Sequence, residues 1–517
     1  MPTARTLFSL LAEQSPTATA VLAGDRATTY GELTDTAARL AGGMRALGVK
    51  RGGRVGILME NRREWLEVAF AAAALGAAVV PFSTWSKPAE LSYLIADAEL
   101  DLLVAVGAFG GQDFAAAFAA LDQPLPPIVV LDAAPRLDWI AYADLAGEPV
   151  ADTAARAGDD AFVLYTSGSS ARPKAVRLVQ GRTVENGFHI GERMRLGPRD
   201  RVLLAPPLFW SYGAANALPA TVSHGAALVL QPRFEPGGWL DLIARHRCTA
   251  VYTLPSMTGA ALRHPTFRRD RTASLRTGLM IGSPEEVRIA AEELAAPEIC
   301  NVYGSTETYG NCCVTPADWP LARRMASQGP PLPGVRLRIA DPETGAELPA
   351  GEIGAVEVAR SATPGYAGAS AVNNAAAFTP DGYFRTGDLG SLDAAGDFHF
   401  AARDNDMIKR AGINVSPAEV EALLLQVPGV GQAAVVGAAA GERGEAIVAF
   451  VVATEGARVD AEALRAHCRA HASSYKVPDR IEICAALPTT ETGKLFRRGL
   501  KEMAAALPLM SGPDEVP

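Results

Sequence analysis

The run Leu164-Tyr165-Thr166-Ser167-Gly168-Ser169-Ser170-Ala171-Arg172-Pro173-Lys174 sets four aliphatic hydroxyls about one glycine and closes on a lysine. Hydroxyls and backbone N–H groups around a residue that permits tight curvature can solvate phosphate oxygens, and the ammonium adds charge. Read alone, the run fits either a phosphate cradle or a polar surface loop. It is not a Walker A loop. Pro173 precedes Lys174 where glycine is required, and Ala175 follows where Ser or Thr would reach Mg²⁺.

Further along come Tyr303-Gly304-Ser305-Thr306-Glu307, Tyr383-Phe384-Arg385-Thr386-Gly387-Asp388, Arg403 through Val415, and Thr492-Gly493-Lys494. In this order the motifs resemble those of the adenylate-forming superfamily of acyl-CoA and aryl-CoA ligases, luciferases and peptide-synthetase adenylation domains. The resemblance runs from about Thr28 to Leu500 and is nearest to an acyl- or aryl-CoA ligase. It implies ATP, Mg²⁺ and coenzyme A, with a carboxylic acid activated as acyl-AMP and then passed to the thiol. By resemblance, Thr166, Ser167, Gly168, Ser169, Ser170 and Lys174 hold the β- and γ-phosphates. Thr306 meets the α-phosphate, Glu307 is the Mg²⁺ ligand, and Tyr303 lies on the adenine face. Asp388 accepts the ribose hydroxyls, assisted by Arg403. Lys494, read alone a solvated loop lysine, would bridge the attacking carboxylate and the α-phosphate. Asn405 would be the hinge of a rotating C-terminal domain, and Lys409 and Gly412 would line the pantetheine channel.

Some positions depart from the family pattern. Ala171 and Ala175 stand where glycine is usual, at a cost of about 1–2 kcal/mol if either needs positive φ. Ala402 and Ala411 also replace frequent glycines, Asn405 replaces Asp or Lys, and around Lys476-Val477-Pro478-Asp479 only Lys476 is basic. These departures leave two alternatives open at the thiol step: an enzyme of one half-reaction, or a carrier-protein phosphopantetheine as acceptor. A non-catalytic acyl-adenylate or nucleotide binder is a third alternative, which the retention of Lys494, Glu307 and Asp388 disfavours.

Relatives that activate amino acids place an aspartate after the first pocket strand, and Pro206 to Leu218 contains no acid. A plain carboxylic acid follows as the expected substrate. Trp210 would border the acyl pocket and the thiol tunnel, or be a core tryptophan. Tyr212, Gly282, Ser283, Gly304, Asn311 and Cys312 are the other expected wall positions. They are mostly small, which leaves room for a bulky aryl, fatty or polycyclic acid.

The elements that must carry these residues alternate. Tyr30–Leu47 has an apolar stripe at helical spacing, Arg54–Leu58 is a short strand, Trp65–Leu75 a helix and Ala77–Pro81 another strand. Helices at 89–97 and 183–194 and strands at 102–106, 201–204, 226–230, 250–253 and 277–281 continue the pattern, so an α/β fold with helix-covered parallel sheets is expected. From about 330 to 402, Gly, Pro and short alternating runs predict a small β unit. Ser416-Pro417-Ala418-Glu419 predicts a capping box opening a helix, and 460–472 a second helix. The expected organisation is a large N-terminal domain over 1–403 and a smaller, mobile α+β domain over 404–517.

The 517 residues carry a net charge of −9 without a basic block, which argues against a nucleic-acid partner. Lysines are only seven of the 48 basic residues, so one inside a motif is less apt to be incidental. Six cysteines without CxxC or zinc spacing predict reduced thiols in a cytoplasm. The run 68–82, broken by Gly76 and Pro81, predicts a buried helix and strand rather than a transmembrane span, and Met1–Gln14 does not read as a cleavable signal. Homodimerisation is left open.

Overall fold

The computed structural model describes residues 5–86, 88–132, 139–150, 153–166, 173–403, 408–410, 413–440, 445–472, 476–490 and 495–507. The chain divides into two compact units. One comprises Met1–Leu337, Glu357–Thr386 and Ala394–Phe398; the other comprises Arg338–Val356, Gly387–Asp393 and His399–Pro517.

The larger unit holds two eight-stranded sheets. In the first, strands Glu298–Tyr303, Thr277–Met280, Ala250–Thr253, Arg201–Leu204, Ala227–Leu230 and Thr19–Ala23 lie parallel in that order. Short antiparallel strands, Cys313–Val314 and Arg26–Thr29, close its edges. The second runs parallel from Asp160–Thr166 through Ala78–Pro81, Arg54–Leu58, Leu102–Val106 and Ile128–Leu131 to Ile140–Ala141. Strands of four or five consecutive buried residues are what parallel sheets covered on both faces require.

The largest core cluster draws on both sheets. Through it runs the helix Arg63–Leu75, whose residues from Trp65 to Leu75 are all buried. A helix buried on every side from Trp65 onward belongs inside, its one charged member there, Glu67, being paired with Arg63 and Tyr142, and Gly76 ends it in the left-handed conformation at φ 70°. The helix and strand expected over 68–82 are thus both present. Among the described residues no helix is long and apolar enough to cross a membrane.

A four-stranded sheet takes Arg336–Ala340, Gly354–Ala359, Phe384–Leu392 and Phe398–Arg403 in that order, at the place where a small β unit was expected. The smaller unit has its own three-stranded sheet, Val430–Ala439 antiparallel to Glu445–Ala453, which is parallel to Arg480–Ile483. Helices Pro417–Leu425 and Ala461–His471 contribute to one core cluster of this unit and Arg497–Ala506 to another.

One local expectation is corrected. Ser416 precedes the helix at Pro417, but its hydroxyl makes no cap hydrogen bond and donates to Ala401 O at 2.8 Å. The Glu419 carboxylate meets Lys476 Nζ at 2.8 Å. A strand carbonyl and a lysine have outcompeted the reciprocal local pair, so the capping box does not form.

Candidate functional site

Ligands of open α/β sheets sit beyond the carboxyl ends of the parallel strands, where the loops turn away. In the first sheet the neighbouring strands end at Tyr303, Met280, Thr253 and Leu204. The loops that follow carry Gly304–Glu307, Ile281–Ser283 and Ala205–Trp210, so residues expected at the phosphates and at the acid converge on one rim.

The Tyr303–Glu307 motif continues into a one-turn 3₁₀ helix, Thr306–Thr308. Thr308 Oγ1 accepts from Ser305 N at 2.8 Å, fixing its start. Tyr309 then takes a left-handed conformation at φ 59° and Gly310 follows at φ 90°, reversing the chain. A non-glycine residue there costs about 1–2 kcal/mol. The reversal is held from outside: Asn186 Nδ2 donates to Tyr309 O at 3.1 Å and to Asn311 O at 3.0 Å, and Tyr309 Oη accepts from Val179 N at 3.2 Å. Gly304 is needed for close approach, since a Cβ there would lie 2.5 Å from Asn311 Cα. Tyr303 stacks obliquely on Phe398, ring centroids 4.4 Å apart.

Both chemical groups of the motif are half-buried and held by hydroxyls from elsewhere. Thr306 Oγ1 donates to Ser211 Oγ at 3.1 Å. Glu307 Oε1 accepts from Tyr366 Oη at 3.2 Å, and Glu307 O accepts from Thr363 N at 2.6 Å. Lys174 Nζ stands 5.3 Å from the centroid of the Tyr366 ring, and Lys174 pairs with Thr166 across an antiparallel hairpin. The run read as a phosphate cradle therefore joins two antiparallel strands, unlike a strand-to-helix P-loop. Ala175 is an ordinary strand residue paired with Tyr165 and Ala367, not at positive φ, so it carries no backbone strain.

Among the described residues no group of three or more His, Cys, Asp or Glu could cage a metal. One half-buried carboxylate on a rim that also bears hydroxyls and a lysine fits Mg²⁺ arriving with a nucleotide. That ion keeps waters and phosphate oxygens and takes only one or two carboxylates.

The wall expected for the acid divides into accessible and buried parts. Trp210 is half-exposed and packs edge-on against Trp85, centroids 5.5 Å apart, and against Phe209 at 6.2 Å. Asn61 shapes this loop, donating to Pro206 O at 3.0 Å and accepting from Leu208 N at 2.7 Å. Tyr212 opens a π-helical turn, Tyr212–Ala217, but its hydroxyl is spent on Leu279 O at 2.8 Å and Thr253 O at 3.3 Å. Burial pushes that phenol well above its ordinary pKa. Tyr212 is therefore a brace between strands. Asn311 and Cys312 are wholly buried and lie behind the accessible surface. Ser283 caps the helix Pro284–Glu292, with Ser283 N donating to Glu286 Oε2 at 2.6 Å, and the half-buried Gly282 precedes it. Burial holds the Glu286 carboxyl above the usual range.

Sequence reasoning passed over Ser211, Tyr366, Asn186, Asn61 and Ile281. Ile281, directly after the strand that ends at Met280, is 45% exposed, which only the structure shows. Asp388 is buried beside Gly387, which sits at φ 72°, and both belong to the smaller unit. Arg403 ends a strand and Lys409 lies in another, with their backbones described. Ser167, Gly168, Ser169, Ser170, Asn405, Gly412 and Lys494 lie outside the described residues.

A model of the family described as "AMP-binding enzyme" matches residues 8–366, and one described as "AMP-binding enzyme C-terminal domain" matches 419–494. The chain belongs to the AMP-binding enzyme family. A feruloyl-CoA synthase of Amycolatopsis is 34% identical over 488 residues, covering 94% of this chain and 96% of the relative. Among solved structures, the ATP-bound MatB of Rhodopseudomonas palustris superposes with a TM-score of 0.86 at 28% identity, covering 97% of this chain and 99% of that one. The anthranilate CoA ligase AuaEII bound to anthranoyl-AMP gives 0.87 at 27% identity, covering 98% and 99%. The large N-terminal and small C-terminal domains expected of this AMP-binding enzyme are those of its structural neighbours.

Proposed function

We propose that this AMP-binding enzyme is an acid–thiol ligase. A carboxylate attacks the α-phosphorus of ATP, giving acyl-AMP and pyrophosphate; the thiol of coenzyme A then attacks the acyl carbon and AMP leaves. One observation carries the reading: the hydrogen bond between Thr306 and Ser211. It joins the motif hydroxyl expected at the α-phosphate to the residue next to Trp210, so the phosphate rim and the aromatic segment share an edge. An acid held against Trp210, Phe209 and Ile281 would present its carboxylate there.

Aromatic, uncharged walls select an aryl or arylalkyl acid by shape. The feruloyl-CoA and anthranilate-CoA relatives support that class. Pro206–Leu218 contains no acid to pair with an amino group, and its polar Asn216 is buried and accepts from Tyr252 Oη at 2.8 Å.

In this reading Glu307 carries Mg²⁺, Lys174 and Thr166 meet the distal phosphates, and Asp388 with Arg403 holds the ribose. Lys494 serves adenylation, and the segment 404–517, pivoting at Asn405, brings Lys409 and Gly412 to the thiol. Coenzyme A in a cytoplasm is the acceptor proposed, with a carrier-protein phosphopantetheine as its competitor. The test is incubation with ATP and a panel of aryl, fatty and polycyclic acids, with acyl-AMP and acyl-CoA measured separately by mass spectrometry. Aryl acids should give both products. Adenylate formation with no acid of the panel would overturn the reading.

A further inference from the structure

Tyr366 has no place in the motifs, yet it touches two of the groups assigned to the nucleotide. Its hydroxyl donates to Glu307 Oε1 at 3.2 Å, and its ring faces Lys174 Nζ at 5.3 Å, within cation–π range. The residue is itself tightly fixed. Tyr366 N donates to Asn374 Oδ1 at 2.7 Å, and Tyr366 O accepts from Asn374 Nδ2 at 3.1 Å. Its strand pairs with Lys174–Val179, placing Tyr366 opposite Val176. Three residues earlier, Thr363 N donates to Glu307 O at 2.6 Å and Thr363 Oγ1 to Arg177 O at 2.6 Å. One short segment thus grips the carboxylate residue by side chain and backbone, and the lysine strand by its ladder.

We infer that Tyr366 is a positioning residue for the metal-bearing carboxylate and the phosphate-binding lysine. Its hydroxyl occupies Glu307 Oε1 and fixes the rotamer, so Glu307 would hold Mg²⁺ with its carboxylate already oriented. Its ring gives the Lys174 ammonium a cation–π platform. The inference rests on the ligase reading, in which Glu307 and Lys174 serve Mg·ATP. Outer hydrogen bonds to a ligating carboxylate typically matter by about 10–100-fold in metal affinity.

The experiment uses the full chain, Mn²⁺ as a paramagnetic probe, and an ATP analogue with a methylene between the α- and β-phosphorus. Mn²⁺ binding is followed by electron paramagnetic resonance for the parent protein, Tyr366→Phe and Tyr366→Leu, each with a thermal melt. Tyr366→Phe keeps the ring and should weaken Mn²⁺ about 10–100-fold with an unchanged melting temperature. Tyr366→Leu should also weaken binding of the metal-free analogue, because Lys174 loses its platform. Unchanged Mn²⁺ affinity in Tyr366→Phe, beside normal binding by the parent, overturns this inference and leaves the ligase reading standing. A parent protein that binds neither Mn²⁺ nor the analogue overturns both.

Discussion

Truncating Trp210 separates a gate from a core residue. The indole is half-exposed and held by edge-on contacts to Trp85 and Phe209. Such pairs contribute about 0.5–1.5 kcal/mol each beyond area burial, so losing two adds about 1–3 kcal/mol to the cost of the buried part of the indole. A fully buried aromatic truncated to alanine loses its whole area and typically costs roughly 3–5 kcal/mol, whereas the half-exposed indole loses only part of its own. The gain should appear in selectivity. The vacated volume accepts several carbons, and a single methylene in an apolar pocket is worth about 10–200-fold in specificity. Trp210→Ala should therefore shift relative kcat/KM by at least about tenfold from small aryl toward bulkier acids, with the KM for ATP little changed. The assay is pyrophosphate release across small, aryl and long-chain acids, run beside thermal melts of the same preparation. A large fall in melting temperature with an unaltered order of acids would show that the residue only fills space.

Three further outcomes are expected. Ser211→Ala removes the acceptor of the Thr306 hydroxyl; a net hydrogen bond of about 0.5–1.5 kcal/mol predicts adenylation about 2–12-fold slower, with the KM for acid unchanged and the melting temperature lowered by at most a few degrees. An unaffected single-turnover rate would remove Ser211 from the site. Lys494→Ala should lower acyl-AMP formation about 10²–10³-fold while sparing thioester formation from supplied acyl-AMP; equal losses in both steps would contradict that division. Burial raises the Glu286 carboxyl above its ordinary value of 4.5, so the folded state binds that proton more tightly than the unfolded chain. Its contribution to stability is present below 4.5 and is lost as pH rises through the raised value. Glu286→Gln should flatten that slope in melts taken across the window, and an unchanged slope would rule the residue out as its source.

The sequence was most informative where chemistry is local. The strands ending at Leu204 and Thr253 and the helix through Trp65 follow from apolar runs and their punctuation, and the motif order alone points to the family. What escaped notice depends on contacts between distant segments. Ser211 stands 95 residues before Thr306, and Tyr366 stands 59 residues after Glu307. Neither spacing has a period that a sequence could display. The size of Tyr212 is visible in the sequence, whereas the strand carbonyls that take its hydroxyl are not. Asn311 and Cys312 are small residues near the motif, and the sequence does not display that the left-handed turn at Tyr309 and Gly310 leads into a wholly buried stretch. Ser416 shows the same limit in miniature: the local pattern for a cap was present, and a carbonyl from a neighbouring strand took the hydroxyl.

Isotope tracing tests whether the acid is activated as an acyl-adenylate. An aryl acid carrying oxygen-18 in both carboxylate oxygens is converted with ATP and coenzyme A, and the products are weighed by mass spectrometry. Attack of the carboxylate on the α-phosphorus makes one labelled oxygen the bridge of acyl-AMP, and thiol attack at the acyl carbon leaves that oxygen on AMP. One heavy oxygen in AMP, one in the thioester and none in pyrophosphate is the predicted result. Label in inorganic phosphate with ADP as the nucleotide product, or AMP free of label, would contradict it.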